Sequence, residues 1–308
     1  FQEIFSENWG IRSQDVLSAA LLTLMHTKGA SLLWLPALLT NESFRHRITD
    51  KLQDEVVLKP FWKSYDAMRD TERKQEIAPV LNKMRQFLYR PGLRSVLGQS
   101  EPRFHLTDLF YHRRVVLVPL NKGSIGSESA KLLGSLIVGL TWTLALSRAK
   151  LPPERRHIVS VYIDELQDYL RLPTDLSDAL AQARGLGVGI TMAHQYRAQL
   201  SPELRAGIDA NARNKIVFGL NSSDAKVMAS IAPELTGLFN MNLPRYVVYT
   251  YFMSDGNATG WIRGTTFPPE PAIRSSVELR ARCQSRYGVP AETVDRDFIQ
   301  LLKESEEE

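Results

Sequence analysis

The chain has 308 residues, 44% of them apolar and 23% charged, with a formal net charge of +4 and a pI near 9.1. This is an ordinary globular composition with enough apolar residues for a sizeable core, and the small positive excess leans only weakly toward an anionic partner. The single Cys283 excludes an internal disulfide framework and a multi-cysteine zinc site, and is expected to be a buried or inert thiol.

Residues 1–103 show helical periodicity and are read as an all-α domain. Val16, Ala19, Ala20 and Leu24 follow the candidate cap Ser13, and Val80, Met84, Phe87 and Leu88 follow Pro79. Within this domain Lys83, Arg85, Arg90 and Arg94 alternate with Phe87 and Tyr89. That stretch is either a solvated helix face or a surface for a phosphate backbone.

From 104 to 266 short β-branched runs alternate with helical patterns, which predicts a mostly parallel sheet with crossover helices, an α/β core. The predicted strands are Val115–Leu120, Ile158–Ile163, Val188–Ala193 and Lys215–Leu220, with helices near 127–148, 174–185, 202–212 and 222–231. Arg245–Phe252, a turn at Asp255-Gly256-Asn257 and Thr259–Thr266 read as a hairpin added to that sheet. The longest apolar stretch, Leu132–Leu146, is interrupted by glycine, serine and threonine. It is also shorter than the roughly 20 residues of a bilayer span, so it is read as a buried helix. Beyond Phe267-Pro268-Pro269 a helical tail, 267–308, closes on a run of glutamates. No internal repeat stands out. The chain opens at Phe1 without an initiator methionine or signal peptide and is read as a piece of something longer.

The chemistry-bearing residues gather at strand ends. The apolar run from Ile158 leads into Asp164-Glu165, and the run from Val188 leads into His194-Gln195 thirty residues later. An Asp at the end of a buried strand can hold Mg²⁺, and an adjacent Glu can polarise a water for attack on a γ-phosphorus. A neutral amide on the next strand can bond the γ-phosphate or that water. The competing explanation is a solvated or capping acidic pair, with His194 an ordinary loop histidine. Arg184 closes the helix between the two strands. Its cation suits a helix C-terminus, or a neighbouring subunit's site where charge develops.

These residues carry a resemblance. Val161-Tyr162-Ile163-Asp164-Glu165, Ala183-Arg184-Gly185-Leu186-Gly187 and Thr191-Met192-Ala193-His194-Gln195, followed by Asn211, Lys215–Phe218 and Ser223–Lys226, resemble the conjugative coupling proteins of type IV secretion and the related hexameric DNA-pumping ATPases. Phe5–Gly10, Val118–Gly123 with Ile125-Gly126, and Arg286–Gly288 are similar as well. The resemblance implies a RecA-like P-loop NTPase core, with an all-α domain at the mouth of a pore that encloses DNA. It implies ATP as cofactor with Mg²⁺ on Asp164, Glu165 as catalytic carboxylate, Gln195 as γ-phosphate sensor, and Arg184 acting in trans in a homo-oligomeric, hexameric ring. A secretion channel or relaxase would be met through regions outside this chain. The chain itself would not insert into a membrane, and would lie in the cytoplasm on a parent anchored at the inner face of the bacterial cell membrane.

One departure stands against these agreements. No G-x-x-x-x-G-K-[ST] phosphate loop occurs in the 308 residues, so the core is expected to be incomplete at its N-terminal side. Gly123-Ser124-Ile125-Gly126 through Lys131 imitates one only as a turn and helix start. Three readings therefore stand: the C-terminal portion of a conjugative coupling ATPase, a chromosome-maintenance translocase or helicase of the HerA/FtsK type, and a non-hydrolysing DNA-binding or assembly module.

Overall fold

The computed structural model describes residues 10–170, 176–233 and 243–307. In chain order the helices and strands are α1 (Ile11–Met25), α2 (Leu35–Thr40), α3 (Glu42–Thr49), α4 (Leu58–Asp66), α5 (Asp70–Leu88), α6 (Pro91–Leu97), α7 (Asp108–Tyr111), α8 (Lys122–Ile125) and α9 (Ser127–Ser147). There follow β1 (Val159–Ile163), α10 (Leu166–Tyr169), α11 (Leu176–Ala183), β2 (Val188–Met192), α12 (Pro202–Asn211), β3 (Lys215–Val217) and α13 (Ser222–Ile231). The chain ends with β4 (Val247–Ser254), β5 (Asn257–Thr265), α14 (Ser276–Tyr287) and α15 (Ala291–Glu307). The described residues divide into two compact units. One is drawn from 1–105, 119–132 and 274–308, the other from 106–118 and 133–273, so the residues after 274 belong with the N-terminal helices.

The first unit is all helix. Apolar positions three and four apart on α1 bring Val16, Leu17, Ala20 and Leu24 to one face. They pack with Leu35 and Leu38, Phe44, Trp62 and Tyr65, and Val80 and Met84, while Phe298, Leu301 and Leu302 of α15 lie against the same core. The polar tips of its aromatics are satisfied: Trp62 Nε1 donates to Thr23 Oγ1 at 2.8 Å and the Tyr65 hydroxyl to Leu39 O at 2.8 Å. Helix α5 begins at Asp70 and runs through Pro79, which the sequence suggested as a starting point. The buried row Ile77, Val80, Leu81, Met84 and Phe87 spans the proline, so packing outweighs the hydrogen bond it forfeits.

In the second unit β1 and β2 pair in parallel, Val159 opposite Val188 and Ile163 opposite Met192. One face carries Val159, Val161, Val188 and Ile190 against Trp142 and Ala145 of α9 and Ala179 and Ala183 of α11. Ile163 and Met192 continue it toward Leu166 and Leu200. The other face presents Ser160, Tyr162, Gly189 and Thr191, and Tyr162 is 76% exposed.

Two strand expectations change. The run Val115–Leu120 forms no strand, and Val115 and Leu117 are exposed, because a β-branched run becomes a strand only where a neighbour takes up its backbone N–H and C=O groups. Strand β3 does not extend the parallel pair either. It pairs antiparallel with β4, Lys215 opposite Tyr251, and β4 with β5, giving a separate three-stranded sheet on which Met228 of α13 and the following Ala232 pack against Tyr249. The β4–β5 turn has both Asp255 and Gly256 at positive φ (49° and 84°), the two-residue turn whose twist matches a hairpin.

The apolar helix is longer than its sequence core. Ser127–Lys150 is long and apolar enough by length and composition to cross a membrane, but Leu132, Trp142 and Ala145 are buried within the protein. Cys283, expected to be buried or inert, is exposed on α14. The Phe5–Gly10 motif, apart from Gly10, and the proposed helix start at Thr174 lie outside the described residues.

Candidate functional site

Parallel pairing places the C-terminal ends of β1 and β2 side by side, and the backbone ladder continues past them. Ala193 N donates to Ile163 O at 2.9 Å and Leu166 N to Ala193 O at 3.0 Å. Between these bonds the chain turns sharply: Glu165 has φ 49° and ψ 51°, a left-handed backbone that a non-glycine residue adopts only where its surroundings impose it. Asp164 Oδ1 accepts from Glu165 N at 3.0 Å, bracing the turn from its own side chain.

That geometry aims the Glu165 carboxylate at two amides. Gln195 Nε2 donates to Oε1 at 2.5 Å and Gln167 Nε2 to Oε2 at 2.6 Å. Gln195 is exposed and Glu165 partly exposed, so the charge-assisted bonds form at a solvent-facing rim. Gln167 escaped the sequence reading. Its signal, two residues past the acid, becomes visible only once the turn folds Gln167 back onto Glu165.

The segment carrying Gln195 is itself tied down. Gln199 Oε1 accepts from the backbone N–H of Gln195 and of Tyr196, both at 3.2 Å. Arg197 N donates to Asp224 Oδ2 at 3.0 Å, and its guanidinium grips Asp209 through both nitrogens, at 2.9 and 2.5 Å. Asp224 is buried and accepts from Asn221 Nδ2 as well. His194 lies among these groups with its Nδ1 buried and unpartnered. Burial pushes its pKa down, with Arg197 acting in the same sense against the Tyr196 backbone and the carboxylates of Asp224 and Asp209. Burial likewise lowers the pKa of Lys215, whose Nζ donates to Ala212 O at 2.7 Å.

Arg184 sits elsewhere. It is exposed on the turn before β2, at the opposite end from Gln195, and five residues at about 3.3 Å each put roughly 16 Å of strand between those ends. The turn is rigid beneath it. Arg156 Nη1 donates to Gly185 O at 2.6 Å and Arg148, itself buried, to the carbonyls of Gly187 and His157. Gly187 is at φ 71°, where a Cβ would meet Arg156 O at 2.8 Å.

The four basic residues of the first unit do not form one free patch. Arg94 makes a two-point ion pair with Asp295, at 2.8 and 2.5 Å, joining α6 to α15, and Arg90 donates to Ile125 O. Arg85 reaches Asn82 at 3.4 Å. Arg90 lies against Gly126, so the glycine turn that imitates a phosphate loop is backed by a protein cation. Asn121 Oδ1 accepts from Gly123 N there, an ordinary capping bond.

No group of three or more metal-ligating side chains occurs among the described residues. Asp164, exposed at the end of β1, is the carboxylate that could hold a magnesium ion taking its other ligands from phosphate and water, while both oxygens of Glu165 are engaged by amides.

The chain has the fold of a bacterial conjugative coupling protein, TrwB. TrwBdeltaN70 in its unbound monoclinic form matches over 89% of this chain and 68% of its own, with a TM-score of 0.50 at 18% identity. The trigonal form in complex with sulphate gives the same values. TrwB in complex with the non-hydrolysable ATP analogue ADPNP matches over the same shares with a TM-score of 0.54 at 17% identity. No protein-family model and no curated protein matches the sequence.

Proposed function

We propose that this chain is the C-terminal portion of a ring-forming, ATP-driven DNA translocase of the conjugative coupling type. The observation that carries the reading is the bond between Glu165 and Gln195 across adjacent parallel strands, which assembles an acid and an amide where an α/β sheet receives its ligand. The fold shared with TrwB supports it, as does the nucleotide analogue named in one of the TrwB complexes.

In this reading β1 and its turn are a Walker B element. Asp164 would hold Mg²⁺, whose chemistry is to neutralise charge on the triphosphate. Glu165 orients and polarises the attacking water. Gln195 exchanges its bond to Glu165 for one to the γ-phosphate when nucleotide is present. Arg184, at the far end of β2, serves the site of the next subunit in a hexameric ring. The phosphate-binding wall comes from a segment outside these 308 residues, and α9, with Leu132, Trp142 and Ala145 buried, is read as a helix of the protein and not as a membrane span. Placement on the cytoplasmic side, and contact with a secretion channel or relaxase, belong to the same reading.

The test is DNA-stimulated ATP hydrolysis by the whole protein, in which Glu165→Gln lowers turnover about a hundredfold or more. Unchanged turnover refutes the role. A mixture of Arg184→Ala and Glu165→Gln subunits regains part of the activity, because some interfaces join an intact Glu165 to an intact Arg184. Failure of every mixture contradicts action in trans. A second reading, a non-hydrolysing DNA-binding or assembly module, is favoured by the missing G-x-x-x-x-G-K-[ST] sequence, and it predicts no nucleotide hydrolysis by the whole protein.

A further inference from the structure

Every residue from Phe267 to Arg286 is exposed, and α14 buries none of its own side chains. A 12-residue helix that covers no core is marginal on intrinsic propensity alone. It is fixed at its ends. Ser275 caps it through Glu278 N at 3.4 Å, the Tyr287 ring meets Phe104 edge-on at 6.1 Å, and Arg103 donates to Gly288 O at 3.1 Å. Between these anchors the helix stands in solvent.

Its charge is one-sided. Within α14, Arg280, Arg282 and Arg286 stand against a single acid, Glu278, and none of the three is in an ion pair among the described residues. Arg282 and Arg286 are four apart, a like-charge pair that weakens an isolated helix, whereas Arg280 projects from another side. Val277 and Leu279 fall among the charges and form no continuous apolar stripe, so the helix lacks the face that a bilayer surface or a protein groove requires. Arginines in several directions around an uncovered helix match a polyanion that presents many equivalent phosphates.

We infer that α14 is a nucleic-acid contact surface, with Arg280, Arg282 and Arg286 meeting the phosphodiester backbone without regard to sequence. In the Lys83–Arg94 stretch, by contrast, Arg94 is paired with Asp295 and Arg90 is bonded to the Ile125 carbonyl. The inference is independent of the Glu165–Gln195 site and survives if that site proves inactive.

The test uses the chain as it stands, with a short fluorescent DNA duplex and anisotropy read across a salt series. The wild-type chain binds with an affinity that falls steeply with salt. Because each neutralised phosphate contributes about 0.9 to the log–log slope, Arg280→Ala/Arg282→Ala/Arg286→Ala flattens the slope by roughly two to three and weakens low-salt binding at least tenfold. Replacing the same residues by lysine keeps most of the slope, and circular dichroism confirms that each variant remains folded. The lone Cys283 on this helix gives a second readout: duplex DNA slows its alkylation, and high salt abolishes the protection. The proposal is overturned if the wild-type chain does not bind DNA, if the triple alanine variant keeps affinity and slope, if DNA leaves Cys283 equally reactive, or if phosphatidylserine vesicles are bound in preference to DNA.

Discussion

Gln195 donates its side-chain amide to the Glu165 carboxylate across thirty residues of sequence, Nε2 to Oε1 at 2.5 Å. The contact exists because β1 and β2 are adjacent and parallel and because a left-handed Glu165 turns its carboxylate toward the neighbouring strand. An amide resting on this acid can report a third group that displaces it.

Arg197 is a positioning residue for that amide. Its clamp on Asp209 ties the Gln195 segment to α12, and its backbone bond to Asp224 ties it to α13. Arg197→Ala is expected to raise hydrogen exchange at the Gln195 and Tyr196 amides and to lower kcat about tenfold. Because the pair is partly exposed, global stability falls by only about 0.5–1 kcal/mol. Unchanged exchange at those amides contradicts the role.

His194 gives the second unit a stability that depends on pH. Burial holds its folded pKa below the ordinary 6.5, so on acidification the unfolded chain takes up the proton first. This contribution is complete above about pH 6.5, falls as pH drops from there toward the folded pKa, and is constant below it. Urea midpoints measured over that range should fall less with acid in His194→Gln than in the wild type. Parallel curves would show that the ring titrates equally in both states.

Arg45 anchors the first unit. It is 1% exposed, donates Nε to Asp66 Oδ1 at 2.7 Å, and lies over the Tyr65 ring, while His46 Nε2 meets Asp66 Oδ2 at 3.0 Å. Arg45→Ala leaves Asp66 with His46 as its remaining side-chain partner and opens a space beside Tyr65, so the denaturation midpoint should fall by the equivalent of about 3 kcal/mol. Arg45→Met, which restores volume but not charge, should recover part of the loss. Equal loss in both variants would assign the whole effect to the ion pair.

Local pattern made some of this legible. Alternating β-branched residues marked β1 and β2, and with them the acid and the amide that meet at their ends, because a strand's exit is set by its own sequence. Partner choice was not legible. Val115–Leu120 has the same apolar character as β1 but pairs with no strand among the described residues, and Lys215–Val217 found β4 rather than the parallel pair. Such pairings are decided by the whole fold, as is the capture of Arg94 by Asp295 from 201 residues away. Gln167, Gln199 and Arg197 act through turns whose shape arises only once the chain has folded.

The central claim is that Glu165 and Gln195 act on one triphosphate as a unit. The direct measurement is a double-mutant cycle on DNA-stimulated phosphate release by the whole protein, using Glu165→Gln, Gln195→Ala and the pair. The account predicts that each single change is severe and that the double variant is little worse than Glu165→Gln alone. Independent, multiplying losses, or normal turnover in either single variant, would contradict it.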